Sequence, residues 1–444
     1  MLFPYGDYDK LVIDFNKQTP EFRRTNNQLK MHGVLRRMEP LRLQPVASLE
    51  IPERTQLFFS PVYGYNVYDG NMLGLALYNS FIPARNVQWQ LAPMYSFNTK
   101  QITGLGRVQF YFFPKNSFIK NICWTTSAES FNYDDYKNNS SEKNFPLRFT
   151  RFGERIDFTL RNKSERSNVK KLISLRSVPI SEEIFGIPDQ GVIVDPVGVG
   201  IYYNTFFYNQ LKFSFEKQQV INPYTFFFSI ENIPHTYSSD FNTGIGVLLS
   251  TEFTTRINYK KKNDGLGIRF YAEYAPMISN VSGFNTHLTA TNGSEDYAFD
   301  EAFLARSEQT GFLSHQILMN RGGMKFSNNQ LIWGIGDGGN FSATLNLTST
   351  LFLPLPLFAF ADFGLASEAK ISSSIPYNSF QYDGGIGLNI VPGICTVYLT
   401  LLASPDIKLN AFNTDEYNKW YKRYFFTLNF SRLVPMEKLR DLKI

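Results

Sequence analysis

Chemically reactive side chains are scarce in this chain. Its 444 residues hold four histidines and two cysteines. His32, His235, His287 and His315 stand in the contexts Met31-His32-Gly33, Pro234-His235-Thr236, Thr286-His287-Leu288 and Ser314-His315-Gln316. None belongs to an H-E-x-x-H spacing, which would set two imidazoles on one helix face for zinc. A G-x-S-x-G nucleophile elbow and a G-x-x-x-x-G-K-[ST] phosphate loop are missing too. The glycines of Gly334-Ile335-Gly336-Asp337-Gly338-Gly339 precede a strand pattern, not a helix, and predict a hairpin turn. Cys123 and Cys395 share no metal-ligand spacing and are expected as apolar strand positions. No catalytic residue, no metal and no cofactor is expected.

Long apolar runs are also missing. A membrane-crossing helix needs about 18 mostly apolar residues, and the longest candidate, Leu351 to Ala361, is broken by Pro354 and Pro356. Charge of one sign is not concentrated: 44 basic against 39 acidic side chains give +5, spread without a basic stripe, so no nucleic-acid partner is expected. The pairs Asp134-Asp135 and Glu182-Glu183 read as solvated turn charge. Lys170-Lys171 and Lys260-Lys261-Lys262 read as hairpin ends within reach of lipid phosphates. The amino terminus, Met1-Leu2-Phe3-Pro4-Tyr5-Gly6-Asp7, lacks a basic n-region and an apolar h-region. The expectation is a removed signal or, preferably, the distal part of a longer precursor.

What the chain has in excess is aromatic residues, 16% of the total, with 42 Phe and 25 Tyr. The mean hydropathy is nevertheless −0.23. Transmembrane strands reconcile the two, because only alternate residues face lipid while aromatics form girdles at both interfaces. The alternation is explicit. Arg155, Asp157, Thr159 and Arg161 oppose Ile156, Phe158 and Leu160, and a period of two sends the sets to opposite faces. Leu266, Ile268, Phe270, Ala272 and Tyr274 oppose Gly267, Arg269, Tyr271 and Glu273 in the same way. Ile245, Val247, Leu249, Phe253 and Ile257 oppose Gly246, Ser250, Glu252, Thr254 and Arg256, with Leu248 breaking the polar set. Phe341, Ala343, Leu345 and Leu347 oppose Ser342, Thr344, Asn346 and Thr348; Tyr424, Phe426, Leu428 and Phe430 oppose Phe425, Thr427 and Asn429.

A soluble sandwich alternates as well. Segment lengths near 9–11 residues, charge on the polar face and Tyr259, Tyr274 and Tyr424 closing apolar faces favour a closed antiparallel transmembrane β-barrel, all-β, of about 14 strands. Its polar face gives a candidate pore lining of Arg107, Arg155, Asp157, Arg161, Glu252, Arg256, Arg269 and Glu273, set either to select solutes or to pair internally. Between Met277 and Ile335 the pattern fails. There Asp296, Tyr297, Asp300, Glu301 and Arg306 predict a long external loop or a lumen plug near 277–335. Residues 1–50, with a short apolar strand at Lys10 to Phe15 and then Arg23, Arg24, Arg36, Arg37, Pro40 and Pro45, read as the end of a preceding β module plus a linker, and 51–444 as the barrel.

Several phrases resemble the carboxy-terminal barrel attached to bacterial gluzincin, aminopeptidase N-related metallopeptidase-like proteins. They are Phe3-Pro4-Tyr5-Gly6-Asp7-Tyr8-Asp9, Tyr65-Asn66-Val67-Tyr68-Asp69-Gly70 with Leu73-Gly74-Leu75, Leu91-Ala92-Pro93-Met94-Tyr95-Ser96-Phe97, Gly104-Leu105-Gly106 and Ile221-Asn222-Pro223-Tyr224. The resemblance implies a Gram-negative outer-membrane anchor or translocating barrel with periplasmic termini, in contact with outer-membrane lipid and a periplasmic peptidase-like domain. The zinc ligands and the G-x-M-E-N motif of the peptidase have no counterpart here, so no catalytic residue carries over. The rival expectations are a stand-alone porin or solute channel, and a soluble carbohydrate-binding β-sandwich.

Overall fold

The computed structural model describes residues 5–16, 18–20, 27–32, 41–46, 55–79, 85–138, 143–164, 166–186, 200–217, 219–233, 246–259, 264–277, 286–308, 310–326, 337–351, 353, 355–367, 370–372, 375–376, 378–413 and 417–429. Arg23, Arg24, Arg36, Arg37, Pro40, His235, the lysines 260–262, Gly334 to Gly336 and Phe430 lie outside them. The strands in chain order are β1 (Lys10–Val12), β2 (Gln28–Lys30), β3 (Leu41–Pro45), β4 (Thr55–Asn66), β5 (Gly70–Tyr78), β6 (Val87–Ser96), β7 (Ile102–Phe112), β8 (Ile119–Asn138), β9 (Lys143–Leu160), β10 (Val169–Gly186), β11 (Gly200–Lys217) and β12 (Tyr224–Ile233). There follow β13 (Gly246–Asn258), β14 (Gly265–Met277), β15 (Thr286–His287), β16 (Asp337–Gly338), β17 (Phe341–Thr350), β18 (Leu357–Ala366), β19 (Lys370–Ser372), β20 (Ile375–Pro376), β21 (Phe380–Val391), β22 (Cys395–Ala403) and β23 (Tyr424–Leu428). One short helix, α1 (Pro405–Asn410), joins the last two.

The chain is nearly all β, and most of it belongs to one large curved sheet. Among the described residues that sheet has seventeen strands, β3 to β14 and then β17, β18, β21, β22 and β23, arranged as a barrel with β23 placed beside β3. Neighbours from β4 onward pair antiparallel, whereas β3 runs parallel to β4. The strand that opens the sheet thus lies inside the stretch expected as linker, while β1 and β2 form a separate antiparallel pair.

The expected count of fourteen falls short of these seventeen. Part of the physical reason lies in β18, whose inward residues Phe358 and Phe360 are themselves apolar and buried, so the period-two signal fades there; β3 falls in the stretch expected as linker. The glycine stretch before β17 does not end in a hairpin turn either: Asp337 and Gly338 pair with His287 and Thr286. Asp134, Asp135, Glu182 and Glu183 sit in strands rather than turns, because β8 and β10 run for 20 and 18 residues, well beyond the span a bilayer requires.

Register carries the alternation from strand to strand. Phe253 faces Phe270, which faces Leu345, while Glu252 faces Tyr271, which faces Thr344. Along the first row the side chains point out, with Phe270 at 42% exposed; along the second they point in, with Tyr271 at 2%. Leu73, Leu91, Leu211, Ile257 and Leu365 extend the exposed apolar face around the sheet. Among the described residues a carboxylate in β9 interrupts it. Glu154, between the inward Gly153 and Arg155, accepts hydrogen bonds from Trp124 Nε1 (2.7 Å) and Thr126 Oγ1 (3.0 Å).

Connection length is polarised along the barrel. The turns at 113–118, 161–168, 218–223, 259–264 and 392–394 are short and lie at the end where β4 begins and β23 finishes. At the opposite end the connections 67–69, 97–101 and 139–142 are equally short, whereas 187–199, 234–245, 278–336, 367–379 and 404–423 are longer. The first turn there is built on Asn66, whose side-chain oxygen accepts from Tyr68 N and Asp69 N, with Gly70 at φ +62° completing the reversal.

The outward row yields a mutational expectation. Phe270→Arg, facing outward near the middle of β14, should destabilise the membrane-inserted sheet by about 2–4 kcal/mol, whereas Tyr274→Arg, nearer the strand end, should cost about 0–1. Refolding into lipid vesicles, read as the band that shifts in mobility on boiling, checks the difference; equal yields for both variants would contradict the lipid-facing assignment.

Candidate functional site in the lumen

The inward face is occupied by the segment 286–326, which leaves β14 at the long-loop end and returns to β17. Its two flanks meet different surfaces. Leu288, Ala290, Ile317, Met324 and Phe326 form one buried cluster with Phe358, Phe360, Tyr398, Ile407, Phe412, Tyr417 and Phe425 from β18, β22, α1 and the chain end. On the other flank Ala298 and Phe299 pack with Phe149, Val178, Ile180, Phe206 and Tyr208 of β9 to β11.

Between these contacts the segment is fixed by charge. Lys325 Nζ donates to Asp362 Oδ2 at 2.6 Å with both side chains essentially inaccessible. Lys325 N donates to Asp383 (2.7 Å), Thr400 Oγ1 donates to the Lys325 carbonyl (2.8 Å), and Asn346 Nδ2 donates to Asp362 (2.9 Å). The ammonium also lies 4.8 Å from the Phe360 ring and 5.1 Å from that of Tyr398. Backbone permissiveness makes this approach possible: at Gly323, φ +132°, a Cβ would stand 2.4 Å from Asn346 Oδ1, and at Gly364 one would stand 2.6 Å from Met324 Sδ.

A second clamp joins Arg321 to Glu273 at 2.8 Å, where Tyr271 and Ser342 also donate to the same carboxylate. Arg269 donates to Glu252 (2.8 Å) and Asn346 (2.9 Å) and reaches the carbonyl of Gly322. A third clamp is Asp300, which accepts from Arg151 Nη2 (2.5 Å) and Arg176 Nη1 (2.9 Å). Arg306 pairs with Asp296 at 3.1 Å and stacks on Phe299, while Tyr297 donates to Glu231 at 3.1 Å.

The residues singled out from sequence distribute unevenly. Glu252, Arg269 and Glu273 come together with the segment, and Asp296, Tyr297, Asp300, Glu301 and Arg306 belong to the segment's own docking surface. Arg107 and Arg155 line a remaining polar space, and Arg155 Nε is bonded to Asp157 at 2.8 Å. Arg256 bonds Asn258 near the short-turn end. Arg161 lies apart from this set, in a turn, donating to the Ser117 carbonyl at 3.1 Å. Alternation continues through Leu160, but the strand ends there.

Sequence reasoning missed Arg151, Arg176, Arg321, Lys325, Asp362 and Asp383. A usable signal existed for Asp362: a lone carboxylate at an inward position of Phe358-Ala359-Phe360-Ala361-Asp362-Phe363 demands a buried cation. Among the described residues no group of three or more His, Cys, Asp and Glu is placed to hold a metal.

The segment and the inward faces of β6 to β14 enclose a cavity of about 730 Å³. The lumen is therefore asymmetric, apolar and filled beside β18 and β22, polar and open beside β7 to β13.

Two expectations follow from the clamps. Lys325→Met leaves Asp362 and Asp383 buried together without their cation and should weaken seating of the segment by about 3–5 kcal/mol. Adding Asp362→Asn and Asp383→Asn should recover most of that, read as hydrogen-exchange protection of residues 317–326; wild-type protection in the single variant would contradict the clamp. The second concerns Glu301. Burial, then the carboxylates of Asp296, Asp300 and Glu129, push its carboxyl up to about 7, so the docked state favours the neutral form. That contribution is full below the ordinary value of 4.5 and is lost as pH rises from there through about 7. Asp300 titrates in the opposite sense and lower: burial raises it, but Arg176 and Arg151 outweigh that and hold it below its ordinary range. Protection of residues 296–306 should accordingly be lower at pH 8 than at pH 5, and Glu301→Gln should flatten the difference.

No family model matches the chain, and no curated protein matches it. Solved structures do. CdiB from Acinetobacter baumannii is similar over 81% of this chain and 61% of its own length, at 10% identity and a TM-score of 0.38. BamA from Haemophilus ducreyi lacking POTRA domains 1–3 is similar over 80% and 69%, at 9% identity and 0.42. CdiB from Escherichia coli is similar over 80% and 60%, at 13% identity and 0.41. The chain spans about three fifths of either CdiB. None of these findings supports the resemblance to the barrel of aminopeptidase N-related proteins.

Proposed function

We propose that the chain forms a closed transmembrane β-barrel of a Gram-negative outer membrane, acting as an anchor or translocating barrel whose lumen is plugged by residues 286–326. The observation that carries the reading is the pairing of an exposed apolar outer row, such as Phe253 and Phe270, with an inner row of buried polar side chains, such as Ser342, Thr344 and Asn346. An apolar exterior around a polar interior inverts the arrangement water selects, and suits lipid outside. Among the described residues no helix is long and apolar enough to cross a membrane, and in this reading strands do the crossing. Short turns and both ends of the barrel sequence on one side favour a periplasmic position for the termini, where a partner domain would dock. The barrel is read as non-catalytic, on the missing zinc-ligand, nucleophile-elbow and phosphate-loop motifs of the sequence.

The plug favours an anchor or gated conduit over a standing porin. In planar bilayers the intact chain should give a small conductance. Deleting Asp296 to Glu301, which removes the Asp300 clamp, should raise it severalfold. A large, steady, cation-selective conductance from the intact chain would overturn the plugged reading, and solubility without detergent would overturn the membrane reading.

A further inference from the structure

Along the arc from β7 to β14 the two ends of the barrel carry opposite charge. At the short-turn end the connections 113–118, 161–168, 218–223 and 259–264 hold Lys115, Arg161, Lys163, Arg166 and the lysines 260–262 against Glu165 and Asp264. At the other end the connections that join strands of the same arc, 139–142, 187–199 and 234–245, hold Glu142, Asp189, Asp195 and Asp240 and neither Lys nor Arg. The strand ends beside the short turns add Lys120, Lys170, Lys171 and Lys217, and in return Glu216, which stands in register with Lys170. Hydrogen bonds join neighbouring turns and strand ends into one rim. Arg161 N donates to the Phe118 carbonyl at 2.7 Å and Arg161 Nε to that of Ser117 at 3.1 Å, while Asn258 N donates to Asn222 Oδ1 at 3.1 Å. Lys115, Lys163 and Arg166 are exposed on this rim and form no ion pair among the described residues.

The outward apolar face does not stop where the strands do. Phe213 with Phe228 and Phe215 with Phe226 run in register down β11 and β12 into the turn 218–223, which has no charged residue and exposes Val220 and Ile221, the latter by 67%. Phe113 and Phe118 flank Lys115, with Phe118 75% exposed, and Leu353 and Leu355 are exposed between β17 and β18. Apolar side chains interleaved with cations suit the depth at which acyl chains give way to phosphates. We propose that this rim is embedded in the headgroup layer of the leaflet on the short-turn side and binds anionic phospholipid there, the cations meeting phosphates and the turn aromatics and aliphatics anchoring among acyl chains. The inference rests on the membrane reading above and adds to it the depth at which the barrel sits and the lipid that holds it. Successive turns lie two strands, about 10 Å, apart, so the arc from 113–118 to 259–264 spans about 30 Å and faces several headgroups at once. The acidic connections at the other end are repelled by the same leaflet, which gives the chain one orientation against it.

The test is native mass spectrometry of the full chain released from non-ionic detergent containing equimolar phosphatidylglycerol and phosphatidylcholine with the same acyl chains, and in a parallel mixture phosphatidylglycerol and lipid A. Phosphatidylglycerol should be retained about fivefold or more over phosphatidylcholine, and the preference should shrink when the mixture is equilibrated at high salt. The triple variant Lys115→Gln, Lys163→Gln, Arg166→Gln should bring the two lipids close to parity. Lys100→Gln, Lys408→Gln, Lys419→Gln removes the same charge at the other end and should leave the preference intact. A heat-shifted gel band from both variants separates loss of the rim from loss of the barrel. Equal retention of the two phospholipids by the wild-type chain, an equal effect of both variants, or stronger retention of lipid A than of phosphatidylglycerol would overturn the proposal while the band persists. Solubility without detergent would instead remove the membrane reading beneath it.

Discussion

The arrangement rests on one buried ion pair. Lys325 and Asp362 meet at 2.6 Å where neither side chain reaches water, and taking two such charges out of solvent costs several kcal/mol each before any attraction is counted. The pair persists because its surroundings complete it: Asn346 and Asp383 supply further hydrogen bonds, and two aromatic rings flank the ammonium. Such a pair adds little net stability, but it tolerates no displacement. A segment shifted by one residue would leave a naked ammonium and two carboxylates in an apolar pocket. The register of 286–326 against β18 and β21 is consequently single-valued, and everything the segment carries toward the opposite wall is positioned by it.

That positioning reaches the far end of the lumen through backbone and turn contacts. Asp69, fully buried, accepts from Asn66, Asn132 and Thr99, which fastens the turn after β4 to the turn after β6 and to β8. The same turn then grips the segment: Val67 N donates to the Leu304 carbonyl at 2.8 Å, and the Tyr68 hydroxyl accepts from Ser307 N at 2.9 Å. The phrase Tyr65 to Gly70 is thus a docking turn for the lumen segment. At the other edge, Ile317 N donates to the Phe426 carbonyl, so the last strand is bonded by the segment as well as by β22. The lumen filling and the wall specify each other.

Charge within the lumen follows a division of labour. Beside β18 and β22 apolar packing dominates and the single ion pair is locked. Beside β7 to β13 the wall is polar, Asp300 satisfies Arg151 and Arg176, and an open cavity remains. Glu301, with its carboxyl near neutrality, stands on the polar side near Asp296, Asp300 and Glu129, where a change of one proton alters the acidic part of the docking surface.

Much of the wall was legible in the sequence, because period two is a property of single strands. Phe270 and Leu345 outward, Tyr271 and Thr344 inward, follow from alternation alone. The same reading located the stretch where alternation stops and identified Asp296, Asp300, Glu301 and Arg306 within it. The number of strands was beyond its reach, since Phe358 and Phe360 face inward against an apolar partner and erase the polar half of the pattern in β18. Partnership was beyond its reach too. Lys325 and Asp362 are separated by 37 positions, and Arg176 and Asp300 by 124; a strand reports which face a residue occupies, never what stands across the lumen from it. Which charges are spent and which remain free is decided only when the segment folds back into the barrel, because burial makes each unpaired charge costly enough to select one docking.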